Sequence, residues 1–154
     1  LTGVRSGGIT GVPAGLPEHW QLVDGYLVGP GANLHETDLN NVNLSDVDLT
    51  GVQSGGITGV PAGLPEHWQL VDGYLVGPGA NLSRANLNEA NLHDAHLTSA
   101  DLSRANLTDA ELKFVLLMDA NLTDANLTGA NLTGAILHYA TLTDVTLTNV
   151  TLST

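Results

Sequence analysis

A chain of 154 residues and 15.9 kDa has room for one domain, and an aromatic content of 4% requires a core of small aliphatic side chains. With 16 acids against 4 bases the formal charge is −12, which argues against direct nucleic-acid binding through phosphate contacts. The absence of Cys removes disulfides, thiolate metal sites and thiol nucleophiles, and no apolar run approaches the roughly 20 residues of a membrane span, so a soluble chain is predicted.

Residues 1–31 form a Gly/Pro-rich insert in which two conformations compete. In one, Trp20 to Val28 is a hairpin, because Asp24-Gly25 between apolar runs is the preferred two-residue turn. In the other, the insert is an irregular version of the repeats that follow it. Residues 32–50 then carry four pentads centred on Leu34, Leu39, Leu44 and Leu49. Residues 51–79 are a second copy of the insert, with a possible hairpin over 68–76; Leu64, Leu70 and Leu75 would fill core positions in the irregular alternative. Residues 1–34 and 49–82 match at every position except that Arg5 becomes Gln53, so a 48-residue unit has been duplicated naturally or by construction. The opening on Leu1, without a starting Met, and the normal repeat leucine at Leu152 predict a segment of a longer array or a processed product.

From residue 80 to 154 the repeats run without interruption. The centres are Leu82, Leu87, Leu92, Leu97, Leu102, Leu107, Leu112, Leu117, Leu122, Leu127, Leu132, Leu137, Leu142, Leu147 and Leu152, each with Ala or Val two residues before it. A straight strand would throw leucines at an odd spacing to alternate faces, and an α-helix would carry them round its cylinder. A chain that turns a corner about once per pentad keeps them all inside, and such coils stack into a solenoid with a continuous core. These leucines are therefore the predicted core, and extended structure without helix is expected throughout.

Pentads such as Ala80-Asn81-Leu82-Ser83-Arg84 and Ala85-Asn86-Leu87-Asn88-Glu89 resemble the pentapeptide repeat family, whose consensus is Ala-Asp/Asn-Leu-x-x. The resemblance implies an all-β fold, a right-handed four-sided β-helix with about four pentads per coil, in which both inserts belong to one continuous solenoid. The duplicated unit would then be two such coils with a short remainder, room for a bulge or short hairpin that leaves the sides in phase. Residues four pentads apart would lie one above another. Asn86, Asn106 and Asn126 then form one outward column and Thr108, Thr128 and Thr148 another.

One side departs from this polar pattern. Leu116 and Ile136 stand where Asn or Asp is usual, one coil apart, with Phe114, Met118 and Tyr139 beside them, and together they are the candidate interaction patch. His93 and His96 flank Asp94 across a corner but lack a third convergent ligand, so no metal site is assigned. Trp20 and Trp68 are expected to pack on the coil wall. A filled solenoid has no concavity in which an acid, a base and a nucleophile could converge, so no catalytic residue and no cofactor is assigned. The sequence therefore points to a non-catalytic structural or interaction module, a rod within a longer array or a self-assembling fibre. Its partner is another protein or a second copy joined head to tail. A bacterial source and an extracellular or cell-surface location are favoured. The resemblance also implies an alternative, an acidic mimic of duplex DNA that binds DNA gyrase, although Arg84 and Arg104 share a column with Asp124 and Asp144 and would break a negative strip. Binding of a sugar or other small ligand by the insert aromatics is a third possibility.

Overall fold

The computed structural model describes residues 1–153. Among them there is no helix, and the only extended ladders longer than single bridges belong to two hairpins. The rest is a stack of short extended sides joined by corners, and its local logic is visible in the pentad Ala105-Asn106-Leu107-Thr108-Asp109. Ala105 N–H donates to the Leu102 carbonyl at 3.0 Å across the corner, Asn106 N–H reaches back one coil to the Ala85 carbonyl at 2.9 Å, and Leu107 N–H reaches forward one coil to the Asn126 carbonyl at 2.7 Å. Asp109 N–H takes the Thr128 carbonyl at 2.8 Å. The fifth donor, Thr108 N–H, is satisfied by the side chain of Asn106 at 3.2 Å. Every N–H of the pentad therefore has an acceptor, and an Asn or Asp before the leucine supplies, through its side-chain oxygen, the one that the backbone cannot.

The corners have a conformational requirement of their own. From Arg84 to Asn149 the second residue after each leucine of the uninterrupted run has a positive φ, as at Glu89 (58°), Ser99 (58°), Asp109 (56°) and Asp119 (58°). A left-handed residue in the third place of a four-residue turn is what lets the chain swing through a corner and close the hydrogen bond to the next alanine. Asp is frequent there because it tolerates this region better than most side chains.

Stacking is parallel and has a fixed step. Asn81, Asp101, Asn121 and Thr141 are bridged in succession, as are Asn86, Asn106, Asn126 and Thr146, so a coil of the C-terminal part is four pentads on four sides. On the same ladder the step from Asn33 to Gln53 is also four pentads, but the steps from Arg5 to Asn33 and from Gln53 to Asn81 are longer. The excess is taken up by the hairpins: β1 (Gln21–Val23) pairs with β2 (Tyr26–Val28), and β3 (Gln69–Val71) pairs with β4 (Tyr74–Val76). Both residues of each turn have positive φ, Asp72 at 49° and Gly73 at 79°, as the tight two-residue hairpin requires. Thus Trp68-Gln69-Leu70 and Gly73-Tyr74-Leu75 are not degenerate pentads. An antiparallel pair uses its own backbone donors, so the insert need not follow the five-residue rule.

The second hairpin lies between coils. Its tip carbonyl, Gly73, accepts from Ile57 N–H at 3.1 Å, Leu75 N–H donates to the buried Ser54 hydroxyl at 2.9 Å, and the Tyr74 hydroxyl accepts from Asn86 N–H at 3.1 Å. Leu70 and Leu75, directly opposite each other, pack into the N-terminal core with Leu34, Leu39 and Leu44. Val71, Tyr74 and Val76 face the other way and join the C-terminal core with Leu82, Leu87 and Leu92. Trp68, just before β3, folds over Gly77, where any Cβ would run into its indole ring.

Leucines 82 to 132 of the uninterrupted run are buried together with the alanines and Val115 at the other inward position. Each is covered by the coils on both sides of it. Leu142, Leu147 and Leu152 depart from the expected core, being 43%, 50% and 69% exposed. No later described coil lies against them, whereas Ala140, Val145 and Val150 beside them still pack on the core cluster.

Candidate functional site

The fourth side of the solenoid carries the bridged ladder His96, Leu116, Ile136. Five-residue periodicity puts these residues outward, because the inward places are taken by Ala95 and Leu97, Val115 and Leu117, and Ala135 and Leu137. At Leu116 and Ile136 the polar residue that normally braces the following turn has been replaced by an aliphatic one. Met118, two residues after Leu116, is half-buried on the same side, and Ile136 is exposed. Phe114 occupies the corner before this side in left-handed geometry at φ 56° and is exposed. Its ring spreads over Gly134 of the next coil, where a Cβ would enter the ring, and meets the His93 imidazole edge to face at 5.6 Å. Tyr139 stands at the following corner and is 88% exposed, with its ring near that of His138. The five residues Phe114, Leu116, Met118, Ile136 and Tyr139 thus share one side and its two corners.

The apolar strip continues upward in a way that sequence spacing did not reveal. The His67 and His96 rings stack in parallel with centroids 4.0 Å apart, and a shallow cleft of about 300 Å³ beside them is lined by His67, Trp68, Gln69, His93, Asp94 and His96. The step from His67 to His96 is longer than a coil of four pentads, and only the intervening hairpin explains how the two rings come to meet. His93 Nε2 lies 3.1 Å from the Asp94 carboxylate. Among the described residues no group of three His, Asp or Glu side chains is placed to hold a metal ion.

The electrostatic surroundings are acidic. Asp94 and Asp119 occupy corner positions bordering the strip, and Lys113 is engaged by Glu111 at 3.1 Å. On the polar sides the stacked amides do bond along the ladder: Asn106 Nδ2 donates to Asn86 Oδ1 at 3.0 Å and Asn121 Nδ2 to Asp101 Oδ1 at 3.2 Å. Asn126 departs from that column by donating to the Thr108 hydroxyl at 3.0 Å. Trp20 is buried, and its ring lies where a Cβ on Gly29 would be, as Trp68 does at Gly77. Both indoles are therefore spent on packing against glycines.

Comparison with known proteins places these features in context. The profile described as pentapeptide repeats matches eight copies, over residues 30–53, 79–113 and 116–153. Among solved structures, the chain is similar to the pentapeptide repeat protein Rfr23 from the cyanobacterium Cyanothece 51142, at 28% identity over 80% of this chain and 59% of that one, with a TM-score of 0.42. A pentapeptide repeat protein from the Arabidopsis thaliana thylakoid lumen matches at 24% identity over 77% of this chain and 63% of that one, with a TM-score of 0.44. QnrB1, a plasmid-mediated fluoroquinolone resistance protein, matches at 16% identity over 81% and 83% of the two chains, with a TM-score of 0.27. The chain spans less than two thirds of the length of the first two. A comparison with curated proteins finds none that matches.

Proposed function

The chain belongs to the pentapeptide repeat family, and on that premise we propose that it is a non-catalytic protein-interaction module whose contact surface is the fourth side of the solenoid. The observation that carries this reading is the replacement of the bracing polar residue by Leu116 and Ile136 in successive coils, flanked by exposed Phe114 and Tyr139. A polar residue there satisfies a turn N–H, so an aliphatic one forgoes a local hydrogen bond and adds exposed apolar surface. Contact with a partner recovers that loss. Large aromatics grouped on a rigid wall are the composition of interface hot spots. The acidic border fits a protein partner with an apolar centre and basic rim.

The test uses the family's own consensus. Leu116→Asn with Ile136→Asn restores the usual residue at both places, so the fold should keep its melting temperature. A photo-crosslinking side chain at Tyr139 should trap a discrete partner or second copy, and the double substitution should abolish the adduct. Equal trapping by the same probe at Thr128, on another side, would remove the fourth side as the contact surface.

The finer form of the reading is a rod in a longer array or a self-assembling fibre. It is supported by the duplicated unit, which adds two coils without disturbing the ladder Asn33, Gln53, Asn81. Sedimentation should show elongated particles that grow with concentration; monodisperse monomers throughout would rule out the fibre. The gyrase-binding alternative has less support, because Arg104 holds Asp124 at 3.3 Å and partly neutralises the column it would need.

A further inference from the structure

Between residues 1–34 and their copy at 49–82 a single position differs, Arg5 against Gln53, and the structure gives that difference a place. Arg5 and Gln53 are members of the first-side ladder, Arg5, Asn33, Gln53, Asn81. In the first copy Arg5 reaches Glu36 with an ion pair of 3.0 Å between two exposed side chains. The residue equivalent to Glu36, one duplicated unit further on, is Arg84. Both partners of the first-copy pair have therefore changed, acid to base and base to amide, and no corresponding bond forms. An open cleft borders each place: about 440 Å³ beside the Arg5–Glu36 pair, and about 380 Å³ in the second copy, lined by His35, Gln53, Ser54, Tyr74, Ser83 and Arg84 among others, where the cation is left without its acid.

Three features make the cleft more than a gap. Gly55, the residue after Ser54, lets the His35 and Tyr74 rings that line the cleft close in, since a Cβ there would press on both at 3.0 Å. Arg5, Arg104 and Lys113 all hold carboxylates, whereas Arg84 has no acidic partner among the described residues. Arg84 N–H bonds to the Ser103 carbonyl, next to Arg104, so its nearest charged neighbour along the column is a like charge. Ser54 is buried, and its hydroxyl accepts from Leu75 N–H at 2.9 Å, which leaves its proton to be given to another acceptor.

We infer that this cleft binds a small hydroxylated carboxylate, of the size of a single acidic sugar. The planar guanidinium of Arg84 suits a two-oxygen acceptor, and the Gln53 amide and the Ser54 and Ser83 hydroxyls suit ligand hydroxyls. The Tyr74 ring offers an apolar face to the ring carbons of such a ligand. The acidity of the whole chain opposes anion approach, so affinity in the millimolar range is expected.

Calorimetric titration of the full chain with glucuronate tests the site, with glucose and inorganic phosphate as comparisons. One saturable site for glucuronate is expected, with no heat from glucose and weaker binding of phosphate. Arg84→Gln should weaken glucuronate by about tenfold or more, whereas Arg104→Gln should leave it unchanged. Gln53→Arg combined with Arg84→Glu rebuilds the ion pair of the first copy and should abolish binding without lowering the melting temperature. Absence of glucuronate binding, phosphate binding more tightly than glucuronate, or binding that survives either Arg84 substitution would overturn the assignment.

Discussion

At each corner from Arg84 to Asn149 one residue is held in left-handed geometry, and few of these residues are glycine: Arg84, Glu89, Ser99, Phe114 and Tyr139 all have φ between 56° and 62°. A non-glycine side chain in that region costs about 1 kcal/mol relative to the right-handed form, offset for glycine by its looser unfolded chain. Ser99→Gly should therefore change stability by less than about 1 kcal/mol in either direction, whereas Ser99→Val should destabilise by about 1–2 kcal/mol. Urea melts of the two variants check this, and equal loss in both would show that the corner geometry is not what limits the position. The pentad sequence declares where the corners fall. The role of the preceding Asn, bonding the N–H two residues on, also follows from its residue type.

The hairpins show how the same segment acquires different energies from its surroundings. Asp24-Gly25 and Asp72-Gly73 announce a tight turn, yet the sequence left open whether the flanking residues continued the coil. Only the paired strands, and the hydrogen bonds of the second hairpin to Ser54, Ile57 and Asn86, place it between two coils with leucines on one face and Val71, Tyr74 and Val76 on the other. Leu75 is fully buried, but Leu27, the same residue in the first copy, is half-buried. Leu75→Ala is expected to cost about 2–4 kcal/mol and Leu27→Ala about half of that or less. Identical losses in thermal melts would mean that the two hairpins are equally covered in solution.

Across the whole molecule, stability is close to a sum of coils and of contacts between adjacent coils. A charge placed in the middle of the stack faces leucines above and below, so Leu127→Asp should abolish cooperative unfolding, a loss of about 4 kcal/mol or more. Leu152→Asp, at a leucine 69% exposed, should preserve the transition. Circular dichroism melts distinguish the two, and a cooperative transition in Leu127→Asp would show that the central leucines are not enclosed. The five-residue pattern does not separate these positions, because both leucines hold the same inward place in it and differ in what is stacked against them.

The amino-acid sequence by itself determined the period, the corners, the identity of the inward residues and the outward location of Leu116, Ile136 and Phe114, since all of these follow from five-residue geometry acting locally. Tertiary structure decided which inward leucines are covered, where the hairpins insert, that His67 meets His96, and that Arg5 is paired while Arg84 is not. Those outcomes depend on contacts between one coil and the next, and the extra length of a hairpin shifts every such partner without leaving any mark on the pentads that follow.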